Sequence, residues 1–239
     1  MNIAIIGYGK MGKTIEAIAA QRGHEVVLKI NSSNLHEFDA AHLQNVDVAI
    51  EFTGPDGAFE NVMKLIAHHI PVVCGSTGWN TQMQNAIDAC INENVGFIWA
   101  SNFSIGVNLF WEINKKMAEI MKPHTEYQIS ITETHHTQKK DAPSGTAITT
   151  AEQILDINPI WDSWKLGDDV KTGQMPIIAH RIENVPGTHI VKYGSEIDDI
   201  SLTHIAHSRE GFALGAVVAA EFIKDKKGFF GMQDVLGLK

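Results

Sequence analysis

Two histidines and two lysines fall within six residues of this chain, at His135, His136, Lys139 and Lys140. Glu133 precedes them, and Asp141-Ala142-Pro143-Ser144-Gly145-Thr146 follows. An imidazole with a pKa near ~6.5 releases a proton at neutral pH, and a neighbouring lysine attracts a carboxylate. Ser144, Gly145 and Thr146 open a helical pattern, so their N–H groups and hydroxyls add a second anion-binding element. The stretch before them, 126–135, alternates strictly, with Tyr127, Ile129 and Ile131 on one side. On a continued strand His135 shares the face of Ile131 and Glu133, and His136 points the other way. The residue types leave two readings. One is a solvated run of charge, the usual fate of such runs. The other is a proton donor beside an anion pocket.

A second motif stands near the amino terminus. Gly7-Tyr8-Gly9-Lys10-Met11-Gly12 is GxGxxG, placed directly after the apolar run Asn2–Ile6 and opening a helical pattern. In that context the first glycine makes a tight turn and the second admits a pyrophosphate. The third allows close helix–strand packing, and the helix N-terminus attracts the phosphates. The acidic residue that usually binds the adenosine ribose belongs about 20 residues further on. Asn31 stands there, uncharged, with Lys29, Ser32 and Ser33 beside it. This set suits a 2′-phosphate, or else forms a plain solvated loop. The expected coenzyme is NADPH, with NADH tolerated. Two later loops, Gly75-Ser76-Thr77 and Ala100-Ser101-Asn102-Phe103, follow predicted strands at the edge where open α/β sheets bind ligands. They suit the nicotinamide ribose and amide, although small residues are common in any such loop.

The elements that must position these groups fall into two rhythms. Strand patterns at 2–6, 25–30, 47–52, 71–74 and 96–100 alternate with helical patterns at 11–21, 56–68 and 82–92. Strands that are apolar throughout, separated by helices, imply a parallel sheet covered on both faces, a Rossmann-type doubly wound α/β domain. After a helix at 107–121, alternating strands at 126–135, 177–183, 188–193 and 199–206 imply an α+β domain with a mainly antiparallel sheet. Pro186-Gly187 reads as a turn between two of them. The expected domains are 1–103 for the dinucleotide and 104–211 for substrate binding. The small residues of the last helix, 212–224, suit tight packing, with 212–239 returning to the first domain. Closure about hinges near Phe103 and Gly211 is expected.

Composition sets the bounds. The chain has 239 residues, 44% apolar and 20% charged, as a globular protein does. A net charge of −9 disfavours nucleic-acid binding, which needs a basic face. No run approaches 18 apolar residues, and no targeting signal opens the chain, so no membrane partner is expected. Cys74 and Cys90 have no metal-ligand spacing and read as reduced thiols of a cytoplasmic protein. A metal hydrolase is disfavoured and no metal is expected. His135 and His136 diverge on a strand, and His204 and His207 lack an acidic or cysteine cluster. Ser144 lies in Pro-Ser-Gly, which is not a nucleophile elbow. A non-catalytic NAD(P)H sensor uses the same fold, but it has no need of a proton donor beside an anion pocket.

Five segments occur in order along the chain: GYGKMG, GSTGW at 75–79, SNFSIGVN at 101–108, ETHHTQKKDAPSGTA at 133–147, and the tail His204-x-x-His207-x-Arg209-x-x-Phe212-Ala213-x-Gly215-Ala216. Together they closely resemble the dihydrodipicolinate reductase (4-hydroxy-tetrahydrodipicolinate reductase) family of lysine and diaminopimelate biosynthesis. The likeness spans nearly the whole chain and is least distinctive over 156–175. It implies a pyrophosphate held by Gly7 to Gly12, and a nicotinamide held by Gly75, Ser76 and Thr77 with Ala100 to Phe103. His135 would be the catalytic acid and Lys139 its cationic partner. His136, Lys139, Gly145 and Thr146 would bind the carboxylates of a small cyclic dicarboxylate, with Ser144 among the orienting amides. Asn31 departs from the family's frequent acidic residue, which bears on coenzyme preference. The resemblance also implies a homotetramer built through the second domain's sheet.

Overall fold

The computed structural model describes residues 1–238. The first part of the chain runs β1 (Asn2–Ile6), α1 (Lys10–Gln21), β2 (Glu25–Ile30), α2 (Ala40–Leu43), β3 (Val48–Glu51), α3 (Pro55–Ala67), β4 (Val72–Cys74), α4 (Met83–Asn92) and β5 (Gly96–Trp99). Then follow α5 (Ile105–Met121), β6 (Gln128–His135), α6 (Gly145–Ile157), β7 (Ser163–Leu166), β8 (Gln174–Arg181), β9 (Gly187–Gly194) and β10 (Asp199–Ala206). The chain ends with α7 (Glu210–Ile223), β11 (Gly228–Phe230) and α8 (Met232–Val235). It divides into two compact units, Met1–Ile105 with the chain from Glu210 onward, and Gly106–Arg209.

In the first unit six parallel strands lie in the order β11-β5-β4-β3-β1-β2. Their apolar character on both sides has a direct cause. Ile3 and Ile5 pack into a core with α1 and α7, whereas Ala4 and Ile6 pack into another with α3 and α4. The chain moves one way from β1 to β2 and the other way from β3 to β5, so the crevice for a ligand opens between the carboxyl ends of β1 and β3. Helix α7 belongs to this unit and buries Ala213, Ala216, Ala219 and Ala220. A Cβ on Gly215 would lie 1.7 Å from the Phe103 carbonyl oxygen, so only glycine fits that approach. Strand β11 extends the sheet beside β5; its three residues are too short for a periodic signal.

The second unit holds a five-stranded mixed sheet, β10-β9-β6-β8-β7. The antiparallel expectation holds around β9, which pairs antiparallel with β10 and β6. Strand β8 instead runs parallel to β6 and to β7. Helix α6 supplies the crossover that a parallel return needs, so a helix does separate two of these strands. The edge strand β7, half-buried and only four residues long, is absent from the sequence-based elements. One face of the sheet, with Ile129, Ile131, Ile177 and Val191, is covered by Phe110 and Trp111 of α5 and by Ala147, Ala151 and Ile154 of α6. Trp161 and Trp164 pack against the same core.

Candidate active site

In the first unit a cleft of about 540 Å³ is lined by the glycine loop, Asn31, Ser32 and the loop 53–56. Two of the three glycines are dictated by the protein's own backbone. Gly7 has φ +102°, and a Cβ there would sit 2.2 Å from the Phe52 carbonyl oxygen; one on Gly12 would sit 2.8 Å from that of Gly7. Gly9 is different, with no atom within 4 Å of its Cβ position. Beside that open space α1 begins at Lys10, Met11 and Gly12, and no side chain caps it. Uncapped N–H groups next to an unfilled glycine position fit a pyrophosphate.

The neighbouring loops are braced from within. Ser76 Oγ accepts the Thr53 N–H at 3.0 Å, and its carbonyl accepts the indole N–H groups of Trp79 and Trp99, each at 2.9 Å. A Cβ on Gly75 would strike the Phe52 ring at 2.2 Å. Thr77 follows on the same β4 loop. Buried Glu51 accepts the Thr53 N–H at 3.0 Å and the Cys74 thiol at 3.1 Å. After β5 come Ala100 and Ser101, and Asn102 Oδ1 accepts the Ser104 N–H at 2.8 Å just before α5. Sequence reasoning missed the loop 53–56 and Glu51; Gly54-Pro55 at the end of a predicted strand is the signal that marks the loop. Asn31 Oδ1 accepts the N–H and hydroxyl of Ser33, at 2.8 and 2.6 Å, and so shapes its own turn. Lys29 pairs with Glu16, which also accepts the Tyr8 hydroxyl, and its amine lies 5.5 Å from the centre of the Tyr8 ring. Burial pushes the Cys74 thiol far up and that of Cys90 to about 11, so neither is a nucleophile at neutral pH.

In the second unit the site grows from the inward face of β6. Alternation buries Ile129, Ile131, Glu133 and His135 in turn. Glu133 is 0% exposed. One carboxylate oxygen accepts Arg181 Nη2 at 3.0 Å and the Ser144 N–H at 3.2 Å; the other accepts from His135 Nδ1. Burial by itself pushes the Glu133 carboxyl up, but the hydrogen bonds and charges of His135 and Arg181 more than offset it and hold it at about 2. An ionised carboxylate at Nδ1 fixes the proton there and leaves Nε2 as the reactive nitrogen. Gly187 begins β9 above it, where a Cβ would come within 3.1 Å of Nε2, so a missing side chain keeps that nitrogen approachable.

Arg181 is the register partner of His135 on β8. Besides Glu133 it donates to the carbonyl oxygens of Asp141, at 2.6 Å, and Lys139, at 3.4 Å. It thereby ties the loop carrying Lys139 to the carboxylate that orients His135. Ser144 is the N-cap of α6, accepting the Ala147 N–H at 3.2 Å, and its hydroxyl lies 3.1 Å from His189 Nε2. Such a cap contributes about 1 kcal/mol. With its N–H on Glu133 as well, Ser144 braces the helix terminus rather than presenting these groups to a ligand. Gly145 and Thr146 take the first two helical positions, where N–H groups have no intrahelical acceptor. His136 points away from Glu133, with Nε2 3.3 Å from Arg209 Nη2, beside a cleft of about 450 Å³ that Glu183 and Pro186 also line.

Sequence reasoning did not assign roles to Glu133, Arg181 and His189. The alternation of β6 was the available signal for Glu133. The other two come from strands paired with β6, and His189 stands opposite Glu133 in register. Glu133, His135 and His189 also bring ligand-type atoms within 4.8 Å of one another. Here those of Glu133 are taken up by Arg181, Ser144 and His135. His136, His204 and His207 are not part of this group.

His189 carries a pH consequence. Burial, then the positive charge of His135, holds its pKa down at about 3. The unfolded chain binds this proton below pH ~6.5 while the folded chain refuses it. The stability contributed by the neutral imidazole is full above that value and is lost as pH falls toward 3, by about 1.4 kcal/mol per unit. Denaturant midpoints measured from pH 7 to pH 4 should therefore fall steadily, and less so in His189→Gln. A flat profile would refute the assignment.

The comparisons with known proteins agree along the whole chain. It matches the family descriptions "Dihydrodipicolinate reductase, N-terminus" over residues 1–103 and "Dihydrodipicolinate reductase, C-terminus" over residues 106–236. It is 51% identical over 240 residues to a 4-hydroxy-tetrahydrodipicolinate reductase of Christiangramia forsetii, covering 99% of this chain and 98% of that one. A protein of the same name from Methanoregula boonei is 37% identical over 198 residues, 81% of this chain and 76% of the other. Among solved structures, a dipicolinate-bound dihydrodipicolinate reductase from Paenisporosarcina sp. TG-14 shares the fold with a TM-score of 0.81 at 24% identity, covering 98% of each chain. A probable dehydrogenase from Thermotoga maritima shares it more distantly, with a TM-score of 0.58 at 12% identity over 98% of this chain and 92% of that one. Matched in both halves and half-identical to a relative from end to end, the chain belongs to the dihydrodipicolinate reductase family.

Proposed function

We propose that this chain converts 4-hydroxy-tetrahydrodipicolinate, a cyclic unsaturated dicarboxylate, to tetrahydrodipicolinate with NAD(P)H: the ring loses its 4-hydroxyl as water and the dehydrated ring gains one hydride and one proton, a step toward lysine and diaminopimelate. The observation that carries this reading is the Glu133–His135 pair, joined through Arg181 to the loop of Lys139. It sets an oriented acid and a cation on one brace.

The nicotinamide, when bound, supplies a hydride to the substrate ring. Every other step falls to the chain's residues. Lys139, with His136 and the α6 terminus at Gly145 and Thr146, holds the carboxylates and offsets negative charge developing on the ring. Protonated His135 quenches that charge from Nε2, while Glu133 keeps the Nδ1 proton and steadies the imidazolium before transfer. Gly7 to Gly12 hold the pyrophosphate. The loops at Gly75–Thr77 and Ala100–Phe103 hold the nicotinamide end, with Ser76 acting chiefly as a brace.

The coenzyme reading is NADPH with NADH accepted. Asn31 presents no carboxylate to repel a 2′-phosphate, and the pairing of Lys29 with Glu16 offsets the charge of that lysine. Discrimination should therefore stay small. The test couples the purified chain to a synthase that condenses pyruvate with aspartate semialdehyde and follows loss of reduced-nicotinamide absorbance. Turnover is expected with both coenzymes. A kcat/KM for NADH more than tenfold above that for NADPH would refute the coenzyme reading, and no turnover with either would refute the activity.

The same reading makes the chain a cytoplasmic homotetramer, joined through the second unit's sheet. In support, the face of that sheet opposite α5 and α6 carries Thr132, Ile190 and Ile205, half-buried or exposed. Light scattering giving other than four chain masses would count against it.

A further inference from the structure

Lys139, the cation placed against the substrate, already holds a carboxylate. Its Nζ lies 2.9 and 2.8 Å from the two side-chain oxygens of Asp141. Both oxygens on one ammonium is the arrangement an incoming ligand carboxylate would take. The two ends of this pair are held differently. Lys139 is 22% exposed, whereas the Asp141 side chain is 60% exposed. The Asp141 backbone is anchored, because Arg181 Nη2 donates to its carbonyl oxygen at 2.6 Å. The carboxylate can therefore swing into solvent about its own side-chain torsions without moving the loop that carries Lys139. The charges point the same way. Lys139 holds the Asp141 carboxyl below its usual range, so it is ionised at neutral pH, and Glu133 lies close enough to repel it. A substrate bearing two further negative charges adds to that repulsion.

We propose that Asp141 is an internal stand-in for the substrate carboxylate: it occupies Lys139 in the free enzyme and is displaced when substrate binds. This rests on the functional reading above and goes beyond it. Asp141 is a positioning residue acting through Lys139. It keeps the ammonium extended and partnered, and it lowers the attraction of the empty site for ordinary anions. Because an exposed ion pair is weak, the exchange is easy.

The test measures binding of pyridine-2,6-dicarboxylate to the chain saturated with oxidised coenzyme, by calorimetry. The variants are Asp141→Asn, Lys139→Met and the double variant. Asp141→Asn removes the competing charge with almost no change of shape, at an exposed position. It is expected to tighten binding by about 2- to 10-fold, a weak-pair magnitude increased by relief of repulsion. KM should fall by a similar factor, and inhibition by inorganic sulfate should strengthen. In the Lys139→Met background the same substitution should lose most of its gain, because the competition runs through that ammonium. A purely structural role for Asp141 would instead lower kcat or weaken binding, and either result, or unchanged binding, overturns the proposal. If the wild-type chain binds the pyridine dicarboxylate and turns over substrate while Asp141→Asn gains nothing, only this proposal falls. If the wild type does neither, the functional reading falls with it.

Discussion

Replacing His135 with glutamine is expected to lower kcat by at least about 10²-fold, the usual cost of losing a positioned acid. Glutamine has similar reach and retains an N–H donor, so a ligand contact can survive. It cannot carry a proton to a carbanion-like centre. The substitution also leaves Glu133, fully buried, with one fewer donor, although Arg181 and the Ser144 N–H remain. A thermal melt must therefore accompany the kinetics, to separate lost chemistry from lost packing. The chemical reading expects a folded protein with wild-type coenzyme affinity and a depressed kcat. A His135→Gln enzyme turning over at the wild-type rate would remove this imidazole from the mechanism.

The second large effect is expected at Lys139. Lys139→Ala should also lower kcat by about 10²-fold or more, but its mark is a rise in KM that exceeds the one at His135→Gln. In the proposed mechanism the ammonium acts before and during the chemistry, first on the ground-state carboxylate and then on charge developing in the ring. Its loss also leaves the Asp141 carboxylate unneutralised near the place a substrate carboxylate would occupy. Repulsion then adds to the missing attraction. Arg181 does not substitute for it, being committed to Glu133 and to three backbone carbonyls. Steady-state kinetics on both variants decide the matter. Equal KM values would show that Lys139 does not hold the substrate before reaction.

Parts of this site are legible because they depend on local rules. GxGxxG after an apolar run needs only the turn, the approach and the packing that glycine permits, and two of its glycines meet backbone within 3 Å in the folded chain. The alternation of β6 places His135 beside Glu133 and away from His136 by period alone. The expected antiparallel partners of β8 were not found, because a parallel return depends on where α6 packs and not on the strand's own residues. Strands β7 and β11 are too short to announce themselves.

The amino-acid sequence by itself determined the two rhythms of secondary structure, the glycine turn and the face on which each histidine lies. These follow from side-chain period and backbone sterics within a few residues. Tertiary structure alone decided that Arg181, 46 residues beyond His135 in number, stands opposite it on a parallel strand. It also decided that His189 is buried neutral, that Ser144 is a brace, and that Lys139 rests on Asp141. The physical reason is common to all four. Which polar groups share a buried or half-buried environment depends on the pairing of strands and the folding of a loop, and the charge state of each depends on the neighbours that pairing supplies.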